Sequence, residues 1–138
     1  MSPIVHRAAT RALHPVLETV QTYLDGLYQG DPALLGDAFH PAAMLFNGTD
    51  GDLVQLDLPA YLGIVRGRPS PASRGDVRQD EVVLCTIASD TTAHARVRNQ
   101  YPPKSFTDDL TLVRLDDRWR IVSKVWHYTI DQYGSHRS

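Results

Sequence analysis

Two carboxylates stand side by side, Asp108 and Asp109, in the middle of an otherwise apolar run, Phe106–Leu115, and a lysine stands at Lys124 in the next run, Trp119–Ile130. If the first run is a strand, alternation places Asp108 with Phe106, Leu110 and Leu112 on one apolar face. A lone ionisable group on such a face needs a partner. Lys124 on the neighbouring strand is the expected one and Arg98 a second possibility, because hairpin pairing sets residues at similar distances from the turn opposite each other. Three further groups bear on chemistry. Tyr23, Tyr28 and Tyr61 fall on helical faces, where a phenol can orient a carbonyl or enolate, although aromatic residues at that spacing also build cores. Trp126 and His127 lie near the end of the last run, with His127 placed to reach either a pocket mouth or the surface. Phe46, on an early strand, is a further candidate for the pocket wall.

The elements that must position these groups follow from periodicity and punctuation. Val16, Leu17, Val20, Tyr23, Leu24, Leu27 and Tyr28 recur with helical spacing over 15–29, and Gly30 closes that helix. Asp31 and Pro32 then read as N-cap and first position of a short second helix carrying Leu34, Leu35, Ala38 and Phe39, stopped by His40-Pro41. A strand at Ala43–Phe46 and another at Leu53–Leu56 form a plausible hairpin around a Gly-rich turn. Asp57 caps a third helix, Leu58–Val65. The segment 66–76 has two prolines, two glycines and no periodicity; it reads as a mobile loop that would serve as a lid. Four strands complete the chain: Val77–Ala88, Thr91–Tyr101, Phe106–Leu115 and Trp119–Ile130. The last two are joined by a tight turn at Asp116-Asp117. In the second, Ala93, Ala95, Val97, Asn99 and Tyr101 share one side, and His94 alternates with arginines on the other.

Composition narrows the function classes. A chain of 138 residues with 42% hydrophobic and 22% charged residues is one ordinary globular domain. We expect residues 1–14 to be a frayed lead-in, 15–131 the domain and 132–138 a tail. A net charge of −2 leaves no basic footprint for nucleic acid or an anionic membrane. No run approaches the ~18 apolar residues of a membrane span, and the N-terminal stretch lacks the apolar core of a secretory signal, so a cytoplasmic location is expected. Asn47-Gly48-Thr49 fits the glycosylation pattern but reads as a turn. The single Cys85 sits in a strand and reads as a small apolar residue. The histidines at 6, 14, 40, 94, 127 and 136 form no ligand motif, and no glycine-rich cradle precedes a helix; neither a metal nor another cofactor is expected.

Helices followed by a run of strands indicate an α+β fold with helices covering one face of a curved sheet. The order of elements, with Tyr28-Gln29-Gly30-Asp31-Pro32, Ala38-Phe39-His40-Pro41, Arg78-Gln79-Asp80-Glu81, Phe106–Leu112 and Arg118–Trp126, resembles the nuclear transport factor 2-like (cystatin-like) cone, and within it the bacterial lumazine-binding branch. The resemblance implies three N-terminal helices packed on a curved, mostly antiparallel sheet, enclosing a central pocket. Members that use acid–base chemistry place a carboxylate in that pocket with a Tyr or His partner, and desolvation tunes such a carboxylate for proton transfer.

On this basis the expected function is binding of a small apolar or heteroaromatic molecule, with Tyr23, Tyr28, Phe46, Tyr61, Arg98, Lys124 and Trp126 as ligand-binding residues. The alternative is a cofactor-independent isomerase, dehydratase or polyketide cyclase, with Asp108 as base and Tyr61 or His127 as its partner. A third is a dimerisation module with a filled cavity. A homodimer through the outer face of the sheet is expected in each case. Competing structural roles for Asp108 and Lys124 are a buried ion pair that holds the sheet together, or pairing on the outer face at the dimer interface.

Overall fold

The computed structural model describes residues 3–131, with side chains from residue 11 onward. Helix α1 (Pro3–Gln29) and helix α2 (Pro32–Ala38) lead into strand β1 (Phe39–Asn47) and strand β2 (Val54–Asp57). Helix α3 (Leu58–Arg66) follows, then strands β3 (Asp80–Ile87), β4 (Thr92–Tyr101), β5 (Lys104–Leu115) and β6 (Arg118–Ile130). One six-stranded sheet has the order β2-β1-β6-β5-β4-β3, antiparallel except for the β1–β6 pair. The α+β cone expected from the sequence is thus what the chain forms.

Local chemistry explains each junction. The Asp31 carboxylate accepts from the Ala33 and Leu34 amides at the start of α2, and Asp57 accepts from Ala60 at the start of α3, each followed by proline within the first turn. Gly30 takes φ +61 where α1 ends, and a Cβ there would lie 2.6 Å from Ser70 Cβ. Both its left-handed backbone and the approach of the 67–79 segment therefore require glycine. Asn47 closes the β1–β2 turn by accepting from the Thr49 amide at 2.6 Å. Asp116 and Asp117 both adopt positive φ, 53° and 60°, the geometry of a type I′ hairpin turn that matches strand twist.

The core lies between the concave face of the sheet and the helices. Val16, Val20, Tyr23 and Leu24 of α1 meet Leu45, Val97, Leu110, Leu112 and Ile121 of the strands, with Phe39 and Tyr61 between them. Burying each such side chain contributes roughly 1.5–3 kcal/mol before the entropy of ordering is subtracted.

Several local expectations differ from this structure. Helix α1 starts at Pro3 and runs through Pro15, so the frayed lead-in over 1–14 is helical from residue 3; the expected tail at 132–138 lies outside the described residues. Phe39, read as the end of α2, instead begins β1, and His40-Pro41 belongs to that strand. The strand forms there because it can pair in parallel with β6, a long-range contact that local pattern does not carry.

The most consequential difference is the register of β5 and β6. Leu112 pairs with Ile121 but Thr111 pairs with Ser123, so Val122 is an extra residue on β6. Side chains alternate between faces with period two, so one inserted residue exchanges the faces of everything beyond it. Trp119 and Ile121 point inward, and beyond the bulge it is Lys124 that is buried while Val125 is 48% exposed. Were Val122 an ordinary paired residue instead of a bulge, the inward positions would be Ser123 and Val125.

Candidate ligand-binding site

Tyr23 rises from the inner face of α1, fully buried, and its hydroxyl donates to Asp108 Oδ2 at 2.6 Å. Asn99 of β4 donates to the same oxygen at 2.7 Å. Asp108 Oδ1 is buried and has no hydrogen-bond partner among the described residues. Burial first, then the Asp108 carboxyl and the neighbouring Tyr61, push the Tyr23 phenol well above its ordinary value of 10.0; the Arg68 guanidinium works against them. Tyr23 is therefore a fixed donor at neutral pH.

Lys124 of β6 lies on the same face, 5% exposed. Its Nζ sits 4.6 Å from the Tyr61 ring centre, 5.2 Å from Tyr23 and 5.3 Å from Trp126, and 3.2 Å from the Tyr61 hydroxyl. Among the described residues no carboxylate lies within 4.0 Å of it. The amine is held by aromatic faces, an arrangement that stabilises a cation without neutralising it.

Above this lysine is a cavity of about 100 Å³. Tyr61, Lys124, Trp126, Phe106 and Asn99 form its deep wall, and Leu27, Tyr28, Leu56 and Ile64 its sides. Arg68, Val77, Arg78 and Tyr101 lie toward the strap formed by residues 67–79. Arg68 stacks on Tyr101 at 4.6 Å and, like Lys124, has no carboxylate partner among the described residues. Arg78, by contrast, is held by Asp25 at 2.7 Å and Asp80 at 2.8 Å. The cavity thus offers two cations, Lys124 and Arg68, with no carboxylate within 4.0 Å among the described residues.

The strap is stitched down. Tyr28 donates to the Asp76 carbonyl at 2.6 Å, the Ala72 amide donates to the Tyr28 carbonyl at 3.0 Å, and Tyr101 donates to the Pro69 carbonyl at 2.7 Å. Arg74 bonds both Asp76 and the Pro102 carbonyl. The freely moving lid read from its composition is a pinned segment, because tyrosines outside it supply hydrogen bonds that its own sequence does not show.

Of the expected site residues, Tyr28, Tyr61, Lys124 and Trp126 line the cavity. Asp108 and Tyr23 lie one layer beneath, behind Asn99 and Lys124. The Asp108–Lys124 ion pair does not form: the bulge sets Trp126 opposite Asp108 and Leu110 opposite Lys124, and Asp108 bonds Tyr23 and Asn99 instead. Arg98 is on the outer face, 3.3 Å from Glu81, and cannot serve as a second partner. His127 is exposed, paired in register with Thr107 on the outer side. Phe46 neighbours Val125 across the β1–β6 ladder, also away from the pocket, since buried Leu45 takes the inward position. His94 pairs with Asp109 outside, as its alternation with arginines implies. Asn99, Arg68 and Phe106 are the residues that sequence reasoning passed over as site candidates. Asn99 carried a signal, being a polar group on the Ala93-Ala95-Val97 face; Arg68 carried none. Among the described residues no group of side chains could hold a metal ion, and no helix is long and apolar enough to cross a membrane.

Three helices over a curled six-stranded sheet, enclosing a pocket with ionisable groups in its wall, define the nuclear transport factor 2-like cone. The chain belongs to the putative lumazine-binding family, whose model matches residues 11–127. Its fold is similar to that of a nuclear transport factor 2-like protein of unknown function from Shewanella baltica, with a TM-score of 0.76 and 22% identity over 87% of this chain and 95% of that one. A ketosteroid isomerase-like protein from Erwinia carotovora atroseptica is similar at TM-score 0.67 and 9% identity, covering 84% and 95% of the two chains. In sequence the chain is 21% identical to the aldolase FrzH of Cladobotryum sp over 81% of its own length and 87% of that protein's.

Proposed function

We propose that this protein binds a small, planar, oxygen-bearing molecule, with an anionic or carbonyl oxygen on Lys124 and the ring between Tyr28, Tyr61 and Trp126. The observation that carries this reading is the Lys124 amine, buried against aromatic faces in the wall of a cavity with no carboxylate within 4.0 Å among the described residues. A buried cation without a counter-ion is costly, and a ligand that brings an oxyanion removes the cost. Arg68 adds a second positive charge to the wall.

Size limits the ligand. A cavity of about 100 Å³ is of the order that accepts a single ring, since apolar cavities of ~150 Å³ take up benzene. A bicyclic heteroaromatic such as a lumazine would require the 67–79 strap to move. The test is a melting-temperature screen with single-ring and bicyclic carboxylates and enols: a saturable rise that Lys124→Met weakens supports the reading, and no rise with any of them refutes it.

A second reading, a cofactor-independent acid–base enzyme, is favoured by Asp108 Oδ1, buried without a donor directly behind the cavity wall. Rotation of the Asn99 side chain would open a path from that oxygen to a ligand, with Tyr61 as the proton-bearing partner. The similarity to an aldolase and to a ketosteroid isomerase-like fold fits carbonyl chemistry of this kind. Asp108→Asn should then abolish turnover while leaving the fold intact.

We also propose a homodimer through the outer face of the sheet. Val125 is 48% exposed there, on the face that carries the Arg96–Asp109 and Arg98–Glu81 pairs, so the face bears both signs of charge and can complement itself about a twofold axis. A monomeric mass by light scattering would refute it.

A further inference from the structure

The chain has only two lysines, Lys104 and Lys124, among fourteen basic residues. Every other cation is an arginine, which is the better residue for a permanent buried or paired charge. At the one inward position where a cation contacts the cavity floor, the sequence instead places an amine, which can become a nucleophile as a guanidinium cannot. The geometry points to a covalent role: Lys124 forms a Schiff base with the carbonyl of a small aldehyde or ketone, and an acidic group on the same molecule faces Arg68. This inference rests on the proposed pocket and adds a bond to it.

Three features of the site suit that step. The amine faces the cavity and gives up no ion pair on reacting, because no carboxylate lies within 4.0 Å among the described residues. The Tyr61 hydroxyl, 3.2 Å from Nζ, is placed to relay a proton between nitrogen and the carbonyl oxygen. The rings of Tyr23, Tyr61 and Trp126 that hold the ammonium hold a protonated imine equally, since both are cations.

The step balances. The ammonium passes one proton through Tyr61 to the carbonyl oxygen, the lone pair so freed on nitrogen bonds the carbonyl carbon to give a protonated carbinolamine, and a second proton passes from nitrogen through Tyr61 to the hydroxyl. The carbon–oxygen bond then breaks and the oxygen leaves as water. Overall, one ammonium and one carbonyl become one protonated imine and one water, with no oxidant or reductant. An arginine at this position could bind the same acid but could not form the bond.

Reductive trapping tests this directly, with the second lysine as an internal control. The full chain is incubated with phenylglyoxylate or glyoxylate and sodium cyanoborohydride, and adducts are located by peptide mapping. The expected result is one reduced adduct on Lys124, at least about tenfold above Lys104 and the N-terminal amine because the pocket positions the carbonyl. Lys124→Arg should lose the adduct, and Tyr61→Phe should trap more slowly than the parent protein, whose melting temperature rises with benzoate. Labelling of Lys124 no greater than that of Lys104, or no labelling, overturns the inference. A benzoate-dependent rise that persists in that case leaves the binding reading standing, so the two failures are distinguishable.

Discussion

Replacing Tyr23 by Phe removes one hydroxyl and leaves the ring, which packs edge-on against Phe39 at 5.7 Å and under Lys124. Asp108 Oδ2 then keeps only the Asn99 donor, and Oδ1 already has none. A buried hydrogen bond of this type is worth ~1–3 kcal/mol. For a domain of this length that corresponds to a drop of roughly 3–12 °C in melting temperature. Chemical denaturation of Tyr23→Phe, Asp108→Asn and the double variant forms a cycle that isolates the pair. We expect a coupling of about 1–2 kcal/mol, whereas additivity within ~0.5 kcal/mol would refute the bond's importance. The pH dependence gives an independent check. Because the folded protein raises the Tyr23 phenol above 10.0, the folded state keeps a proton that the unfolded chain loses. That stabilisation is complete below pH 10 and disappears as pH rises through the folded value. The fall in stability on the alkaline side should therefore be shallower in Tyr23→Phe than in the parent; identical slopes would contradict the assignment.

Further outcomes follow from the strap and the bulge. Gly30→Ala forces a Cβ to 2.6 Å from Ser70 Cβ in a left-handed backbone, so we expect a loss of about 1–3 kcal/mol and faster proteolysis within 67–79, both measurable on the purified variant. The Arg78 hydrogen bond, with a smaller one from Gln21, holds the Asp25 carboxyl below its ordinary 3.8 against the opposing effect of burial. That contribution is present above pH 3.8 and is lost as pH falls through the lowered value, so Arg78→Gln should flatten the acid limb of a stability–pH curve. Deleting Val122 leaves Ile121, Ser123 and Lys124 in regular alternation opposite Leu112, Thr111 and Leu110, so Lys124 stays on the inner face and ligand-induced stabilisation should persist if the variant folds; its loss would contradict this register.

Much of the fold was legible because its signals are local. The Asp31-Pro32 and Asp57 caps, the Asp116-Asp117 turn and the alternation of β4 act over a few residues, and each appears in the structure as read. The placement of Asp108 on an apolar inner face was legible for the same reason. Its partners were not. Counting back from the hairpin turn sets Val125 opposite Asp108 with Lys124 beside it, but a single extra residue at position 122 moves Trp126 into that place, and nothing in the run of β-branched and aromatic residues marks Val122 as unpaired. The parallel β1–β6 ladder and the approach of Arg68 to the pocket depend on contacts between segments far apart in the chain, which periodicity cannot report. The same holds for the strap, whose anchors Tyr28 and Tyr101 lie in α1 and β4.

The central claim is that Lys124 is the polar anchor of the cavity. Trp126 lies beside it in the cavity wall, while Trp119 is buried elsewhere in the core, so Trp126 fluorescence in a Trp119→Phe background reports occupancy of this pocket alone. Titration with a single-ring aromatic carboxylate should quench that emission saturably, and the affinity should fall at least about tenfold in Lys124→Met but not in Lys104→Met. Equal affinity in the two lysine variants would contradict the account.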